Sequence, residues 1–247
     1  IRFEGEETVA AVIMEPFISG GGVIIPSAAY IQKVAEICKK YNVLLIMDEV
    51  VSGYGRTGKM FGFMHAEGVQ PDIVTMAKGL TSGYLPLGAT AVKSEIYEVF
   101  RNQEKHSHFR HVSTFGGHPA ACAVALKNIE ILERENIVER VEKLGKSKLG
   151  KLHQLMEHEN VGEVRQVGFL LGIEMVTDKK SKSPLDDENM TKIINACKEK
   201  GLIIGKNGDT VPGLGNVLII APPLTSTEQD LDFLINTVET VIQNFKL

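Results

Sequence analysis

The sequence has few cysteines and no long apolar run. Three cysteines occur among 247 residues; each lies inside an apolar helical pattern, and none has the spacing of a metal ligand. This usage favours free thiols in a reducing compartment, and we therefore expect a cytoplasmic protein. No apolar run reaches the roughly 18 residues that a membrane-spanning helix needs. We expect neither a signal peptide nor a membrane partner.

The sequence also has no large excess of positive or negative charge, and it lacks the common nucleotide-binding motifs. The formal net charge is −4, and no block of basic residues is present, so nucleic acid is not an expected partner. Neither GxGxxG nor GxxxxGK[ST] occurs, which argues against a nicotinamide dehydrogenase. For the triple glycine at 20–22, we favour backbone flexibility over a phosphate loop. For His106, His108 and His111, we favour a solvated loop over a metal site, because no acidic residue or cysteine accompanies them.

Apolar residues make up 43% of the chain and charged residues 23%, which is typical of a globular protein with a large core. Short apolar runs at 8–14, 43–47 and 73–76 predict strands buried on both faces, as in a parallel sheet covered by helices. Helical spacing at 27–41 predicts a helix between the first two strands. The first half of the sequence therefore predicts an α/β fold.

Helical spacing also runs from 118 to 157 and predicts a long element that links two domains. Beyond it, strands alternate with helices, and short strands are expected at 202–204 and 217–220. We therefore assign residues 1–135 to part of a large domain. Residues 136–247 are assigned to an interdomain helix and a smaller α+β domain.

An aspartate and a lysine follow two of the predicted strands. Asp48 directly follows the run 43–47, and Lys78 comes just after 73–76. The C-terminal ends of parallel strands are where α/β sheets place ligands, so the two side chains are expected at one edge. A salt bridge between them is one interpretation. The other is chemical, because a buried lysine is costly unless it is paired or used, for example in a Schiff base.

Five motifs in order, MEPFISGGG, LLIMDEVVSGYGRTG, DIVTMAKGL, PLGA and STFGGHPAACA, resemble those of the class III (omega-amino-acid) aminotransferases. These are pyridoxal 5'-phosphate (PLP) enzymes of fold type I. The resemblance implies a large PLP-binding domain with a mostly parallel sheet, a smaller α+β C-terminal domain, and a homodimer or tetramer. It covers the C-terminal half to two-thirds of the family pattern. The N-terminal half of the same enzyme is then expected to supply further cofactor contacts.

The resemblance also implies site residues. Lys78 matches the catalytic lysine that forms the Schiff base and moves the proton between carbon centres, and Asp48 matches the carboxylate at the pyridinium nitrogen. Val50 is expected against the ring, on the same face as Asp48, with an ordinary core valine as the alternative. Thr114 matches the threonine that reaches the phosphate of the neighbouring subunit's cofactor, with a helix cap as the alternative. Glu15 matches an acidic position near the cofactor.

The substrate is suggested by departures from two family branches. Members acting on ornithine or γ-aminobutyrate carry glutamine and glutamate where this chain has Val51 and Gly20. The DEVV form instead resembles the branch that transfers an amino group from β-alanine, taurine or amines to pyruvate by a ping-pong mechanism. Lys206 is a candidate for the substrate carboxylate. For Arg56, we favour a salt bridge over an anion contact.

Two other functions remain open at this point. One is different chemistry with the same cofactor, as in a decarboxylase, racemase or aminomutase, because a fold does not fix a reaction. The other is an inactive fragment that requires its N-terminal half. The sequence indicates no metal cofactor.

Overall fold

A computed structural model describes residues 1–101, 108–208 and 211–247. The described chain divides into two compact units. The first unit comprises Ile1–Pro16, Pro26–Tyr54 and Phe61–Glu135. The second comprises Phe17–Ile25, Gly55–Met60 and Asn136–Leu247. A single division after residue 135 therefore misses two short segments, 17–25 and 55–60, that belong to the second unit.

The first unit consists of a mixed sheet and its helices. Its elements are β1 Ala11–Met14, α1 Ala28–Lys40, β2 Leu44–Asp48, β3 Ile73–Met76, β4 Ala89–Val92, α2 Ser94–Arg101 and α3 Pro119–Arg134. The strand order is β1-β2-β3-β4. The first three strands are parallel, and β4 is antiparallel to β3. The C-terminal ends of β1, β2 and β3 therefore lie along one edge.

Helix α1 and strand β2 pack together in the core of this unit. The helix begins after Ser27, whose hydroxyl accepts a hydrogen bond from the Tyr30 amide at 3.2 Å, the expected arrangement of an N-cap. Ile31 and Cys38 on the helix cluster with Leu45 and Met47 on the strand, and all four are buried. Burial alternates along β2 because successive side chains of a strand point to opposite faces.

The prediction of strands buried on both faces is wrong for this chain. Ile13 on β1 is 63% exposed, and every residue of β3 is only partly buried. The described elements therefore cover one face of the sheet better than the other. Strand β1 is also shorter than the apolar run, because the Thr8 hydroxyl donates to the carbonyls of Glu4 and Gly5 and closes a 3-10 turn at Glu6–Thr8.

The long helix expected over 118–157 is three separate elements. Helix α3 ends at Arg134, α4 spans Ile137–Ser147, and a 3-10 helix spans Leu149–Glu157. Asn136 separates the first two with a left-handed backbone, φ 50 and ψ 40, which continues no right-handed helix. The predicted interdomain helix is therefore not formed.

The second unit is built on an antiparallel sheet. After α4, its elements are β5 Val161–Val167, β6 Leu170–Met175, α5 Asp187–Glu199, β7 Gly205–Lys206, β8 Val217–Ile220 and α6 Glu228–Asn244. The strand order is β5-β6-β8-β7, with every pair antiparallel. The strand expected at 202–204 is displaced to β7, whose Gly205 pairs with Ile219.

Helix α6 closes the second unit with a capping box. The Thr227 hydroxyl accepts from the Asp230 amide, and the Asp230 carboxylate accepts from the Thr227 amide at 2.7 Å. The buried face of the helix includes Leu231, Val238 and Ile242, as the helical spacing of apolar residues predicts. Among the residues that the structure describes, no helix is both long and apolar enough to cross a bilayer.

Candidate active site

Asp48 is the last residue of β2, at the edge where the parallel strands end. It pairs with Thr75 of β3, and the Glu49 amide continues the link by donating to the Thr75 carbonyl at 2.9 Å. One carboxylate oxygen, Oδ1, accepts a hydrogen bond from the Val50 amide at 3.0 Å. That bond turns the carboxylate toward the loop after β2 and leaves Oδ2 for another partner.

Glu49, which sequence reasoning did not single out, anchors this loop. It has no exposed surface. Its Oε2 accepts from the Ser52 hydroxyl at 2.7 Å and the Gly62 amide at 2.8 Å, and its Oε1 accepts from the Phe63 amide at 2.8 Å. Burial raises the pKa of this carboxyl, although the three donors oppose the shift. The alternation of β2 was the signal for it, because Glu49 continues the buried series of Leu45 and Met47.

Val50 does not share an extended segment with Asp48, so the face argument for it is wrong. The chain leaves the strand at Glu49 and turns, and the Gly53 amide donates to the Glu49 carbonyl at 3.0 Å. A Cβ at Gly53 would lie 2.8 Å from that carbonyl oxygen, so the turn requires glycine there. Val50 is half-buried beside Asp48, and a contact with the cofactor stays a prediction.

Lys78 follows β3 and begins a 3-10 turn, Lys78–Leu80. It is exposed, which contradicts the expectation of a buried lysine. The described residues leave its side chain uncovered. Its amine makes no hydrogen bond or ion pair with any residue that the structure describes. In particular, no salt bridge joins it to Asp48, although their strands are neighbours. The salt-bridge interpretation of the pair is therefore wrong.

A cavity of about 740 Å³ adjoins Lys78. Its walls come from the loop after β3 and from the segment before α3. The lining residues include Ala77, Lys78, Thr81, Pro86, Ser113 and Phe115. A Cβ would meet no atom within 4 Å at Gly83 or Gly117, so the glycines leave space beside the lysine.

Thr114 lies beside the cavity that adjoins Lys78, and Glu15 lies at the sheet edge that carries Asp48. Thr114 is exposed, between two residues that line the cavity, in a turn where the Gly116 amide donates to the Ser113 carbonyl at 3.0 Å. Glu15 directly follows β1, whose Met14 pairs with Met47 of β2. Glu15 therefore emerges at the same edge as Asp48. The roles predicted for both residues stay predictions.

Arg56 binds backbone carbonyls of the second unit rather than a carboxylate of the described residues. Its Nη1 donates to the carbonyls of Phe169 at 3.0 Å and Pro222 at 2.6 Å. Burial lowers the pKa of its guanidinium to about 10. Among the described residues, Arg56 forms no ion pair. The predicted salt bridge is therefore wrong, and the residue ties three segments of this unit through backbone oxygens.

Two other candidates in the second unit have protein partners. Lys206 forms an ion pair with Asp187 at 2.7 Å. The triple-glycine loop presents acceptors rather than phosphate-binding donors, because the Gly22 and Val23 carbonyls accept from Arg165. The loop therefore has a structural role in binding Arg165. Because the two segments are far apart in the chain, no local pattern indicates this contact.

The histidine segment is only partly described, since His106 lies outside the described residues. The His108 ring accepts from the Arg110 guanidinium at 3.0 Å. Within residues 1–101, 108–208 and 211–247, no group of three histidine, cysteine or acidic residues is placed to hold a metal ion.

Comparison with known proteins identifies relatives over nearly the whole chain. The family model for Aminotransferase class-III matches residues 1–242. An uncharacterized aminotransferase of Bacillus subtilis (strain 168), YhxA, is 55% identical over 98% of this chain and 54% of its own length. A taurine–pyruvate aminotransferase of Bilophila wadsworthia (strain 3_1_6) is 43% identical over 98% of this chain and 55% of its own length.

Solved structures agree with these relatives. A Bacillus anthracis aminotransferase has a TM-score of 0.95 and 51% identity over 99% of this chain and 54% of that chain. An amine transaminase from an uncultivated Pseudomonas species, in a PLP-bound form, has a TM-score of 0.90 and 37% identity over 98% of this chain and 54% of that chain. The fold is thus that of the fold-type I PLP transferases, α/β with a second, antiparallel sheet.

The chain belongs to the class III aminotransferase family, and it spans about half the length of the curated relatives it matches. The family uses PLP, and the side chains at the sheet edge have the chemistry that this cofactor requires. Asp48 offers a carboxylate for a protonated ring nitrogen, and Lys78 offers an amine for the aldehyde carbon. Neither is neutralised by the other, and the glycines beside Lys78 leave room. The donor set therefore fits both ends of the ring.

Proposed function

We propose that the protein is an aminotransferase that moves an amino group from an omega-amino acid or amine to a 2-oxo acid such as pyruvate. The proposal rests mainly on one observation. Asp48 and Lys78 lie at the ends of adjacent parallel strands and do not pair with each other. A carboxylate and an amine that form no ion pair with any described residue, at the ligand-binding edge of an α/β sheet, suit a ligand between them. The similarity to a taurine–pyruvate aminotransferase supports a donor of the β-alanine or taurine type.

The roles follow from the chemistry of each group. PLP, when bound, supplies an electron-accepting ring that makes the substrate's α-proton removable. The carboxylate of Asp48 holds the ring nitrogen in its protonated form by charge attraction, and the Val50 amide orients that carboxylate. The amine of Lys78 would hold the cofactor at its aldehyde carbon until the substrate amine takes its place there. The same nitrogen would then be free to move the substrate's proton from one carbon to another.

The remaining contacts belong to the assembly that we propose for the whole protein. Thr114 reaches the phosphate of the neighbouring subunit's cofactor, and Glu15 lies near the ring. The enzyme works in the cytoplasm as a homodimer or tetramer. Its N-terminal half supplies the other side of the cofactor site, since this chain spans about half of its relatives' length.

A panel of amino donors tests the function. The full-length protein is incubated with β-alanine, taurine or an aliphatic diamine, with pyruvate or 2-oxoglutarate as acceptor, and the new amino acid is measured. We expect alanine from pyruvate, and Lys78→Ala should lower the rate at least 10²-fold, roughly the contribution of a general acid–base. Lys33→Ala, at an exposed side chain on α1, serves as the matched control.

The outcomes separate the alternatives. Carbon dioxide release without alanine formation would indicate a decarboxylase, and an isomerised donor would indicate an aminomutase or racemase. Unchanged alanine formation in Lys78→Ala would refute the assignment of the lysine.

A further inference from the structure

The turn that carries Lys78 has an unfavourable backbone conformation. Lys78 has a φ of 37, in the left-handed region that a residue with a side chain rarely adopts. Two hydrogen bonds close the turn: the Leu80 amide donates to the Ala77 carbonyl at 2.8 Å, and the Thr81 amide donates to the Lys78 carbonyl at 3.3 Å. Such a conformation persists only where surrounding contacts hold it.

One side chain from a distant part of the unit holds this turn. Asn128 lies on α3, and its Nδ2 donates to the carbonyls of Gly79 at 2.7 Å and Leu80 at 3.2 Å. Its Oδ1 accepts from the Ser82 hydroxyl at 2.7 Å. The orientation of the amide is determined by its partners, because two carbonyls can only accept and a hydroxyl can donate.

Packing holds the opposite side of the turn. A Cβ at Gly79 would lie 3.0 Å from the Tyr54 Cβ, so the turn rests directly on this side chain. Tyr54 is itself buried, and its hydroxyl donates to the Met76 sulfur at 3.2 Å. The turn is therefore confined between α3 and Tyr54, and Asn128 makes the polar contacts that fix its carbonyls.

We propose that Asn128 is a positioning residue that holds the Lys78 turn in the conformation required for covalent attachment of the cofactor. The inference rests on the proposed function, because it assigns the amine of Lys78 to that attachment. Asn128 touches the backbone of Gly79 and Leu80, not the reacting atoms, and it acts through the turn. Without its two donated hydrogen bonds, the left-handed backbone of Lys78 is free to relax, and the amine leaves its attachment position.

Amide hydrogen exchange in the cofactor-free, full-length protein tests the first half of the proposal. In Asn128→Ala, the amides of Leu80 and Thr81 should exchange about ten- to thirty-fold faster, as expected for the loss of two hydrogen bonds. Asn128→Asp should behave alike, because it can accept from Ser82 but no longer donates. Lys127→Ala is the matched control and should leave the two amides unchanged, because Lys127 pairs with Glu130 on the surface of the same helix.

Covalent attachment tests the second half. PLP is added to each apoprotein; bound cofactor is measured after gel filtration, and attached cofactor is measured by borohydride reduction and mass spectrometry of the Lys78 peptide. In both Asn128 variants, the attachment rate should fall about ten-fold while the amount of bound cofactor is retained. A merely structural role would not change this ratio of attached to bound cofactor.

Two results would overturn the proposal. One is attachment and exchange at wild-type rates in both Asn128 variants; the other is faster exchange along all of α3 with parallel loss of bound cofactor. Failure of the proposed function looks different: a wild type without cofactor on Lys78 would refute the lysine assignment, and another reaction with the same cofactor would leave the attachment intact and be seen in the donor panel. The exchange of Leu80 and Thr81 would still decide whether Asn128 holds the turn.

Discussion

Replacing Glu49 with glutamine should destabilise the protein, although the two side chains have the same shape. Every partner of the carboxylate is a donor: the Ser52 hydroxyl and the amides of Gly62 and Phe63. In Glu49→Gln, the new NH₂ group takes the place of one oxygen. Because only the hydroxyl can reverse its role, one backbone amide loses its acceptor in either amide orientation. Leaving one buried donor unsatisfied costs about 1–3 kcal/mol.

The pH dependence of this loss has a defined sign. Burial raises the pKa of Glu49, so its contribution to stability is greatest below the unfolded pKa and declines as pH rises through the folded pKa. A protonated Glu49 keeps all three partners, because the Ser52 hydroxyl can accept a hydrogen bond from the carboxyl O–H. The stability difference between wild type and Glu49→Gln should therefore be larger near pH 5 than at pH 8.

Urea unfolding of the full-length protein at both pH values measures these differences. Glu36→Gln is the control, because Glu36 pairs with Lys33 on the surface with 65% of its side chain exposed. We expect its effect to stay below about 1 kcal/mol at either pH. A loss below about 0.5 kcal/mol in Glu49→Gln, or a larger difference at pH 8, would refute the reasoning.

Three further substitutions test other contacts by the same unfolding measurement. Asp72 has a lowered pKa despite its burial, because the Leu45 amide and the Lys93 ammonium bind its carboxylate; Asp72→Asn should lose about 1 kcal/mol at pH 7, a difference that disappears as pH falls through the folded pKa. Arg56→Met should lose about 1–3 kcal/mol by removing the donor that binds two carbonyls, and no loss would indicate that these two hydrogen bonds do not stabilise the unit. Thr227→Ala should lose about 1 kcal/mol with the capping box, and no change would indicate that the cap is replaced by water.

The strands of the first unit and the positions of its charged groups were accessible from sequence. The bounds of β3 follow the apolar run at 73–76, and Asp48 and Lys78 lie at or just after strand ends, because a short apolar run is a local property of the chain. The capping box at Thr227 is also a local pattern, because it consists of a threonine with an aspartate three residues on. Periodicity failed at Asn136, where a single left-handed residue divides what the spacing of apolar residues presents as one helix.

The contacts that hold the candidate site depend on residues far apart in the chain. No local pattern indicates that Asn128 binds the turn of Lys78, since the two residues lie on different elements. The partners of Arg56 are likewise backbone oxygens at residues 169 and 222, which no charge pattern predicts. The burial of Glu49 was accessible in principle through the alternation of β2, but the adjacent Asp48 offered the same charge.

The central claim is that Lys78 is the residue that binds the cofactor covalently. Borohydride reduction of the wild-type, full-length protein loaded with PLP, followed by proteolysis and mass spectrometry, tests it directly. We expect one pyridoxyl group per chain, on the peptide that contains Lys78. A modified peptide that contains a different lysine, or no modified peptide from a protein that retains the cofactor, would contradict the account.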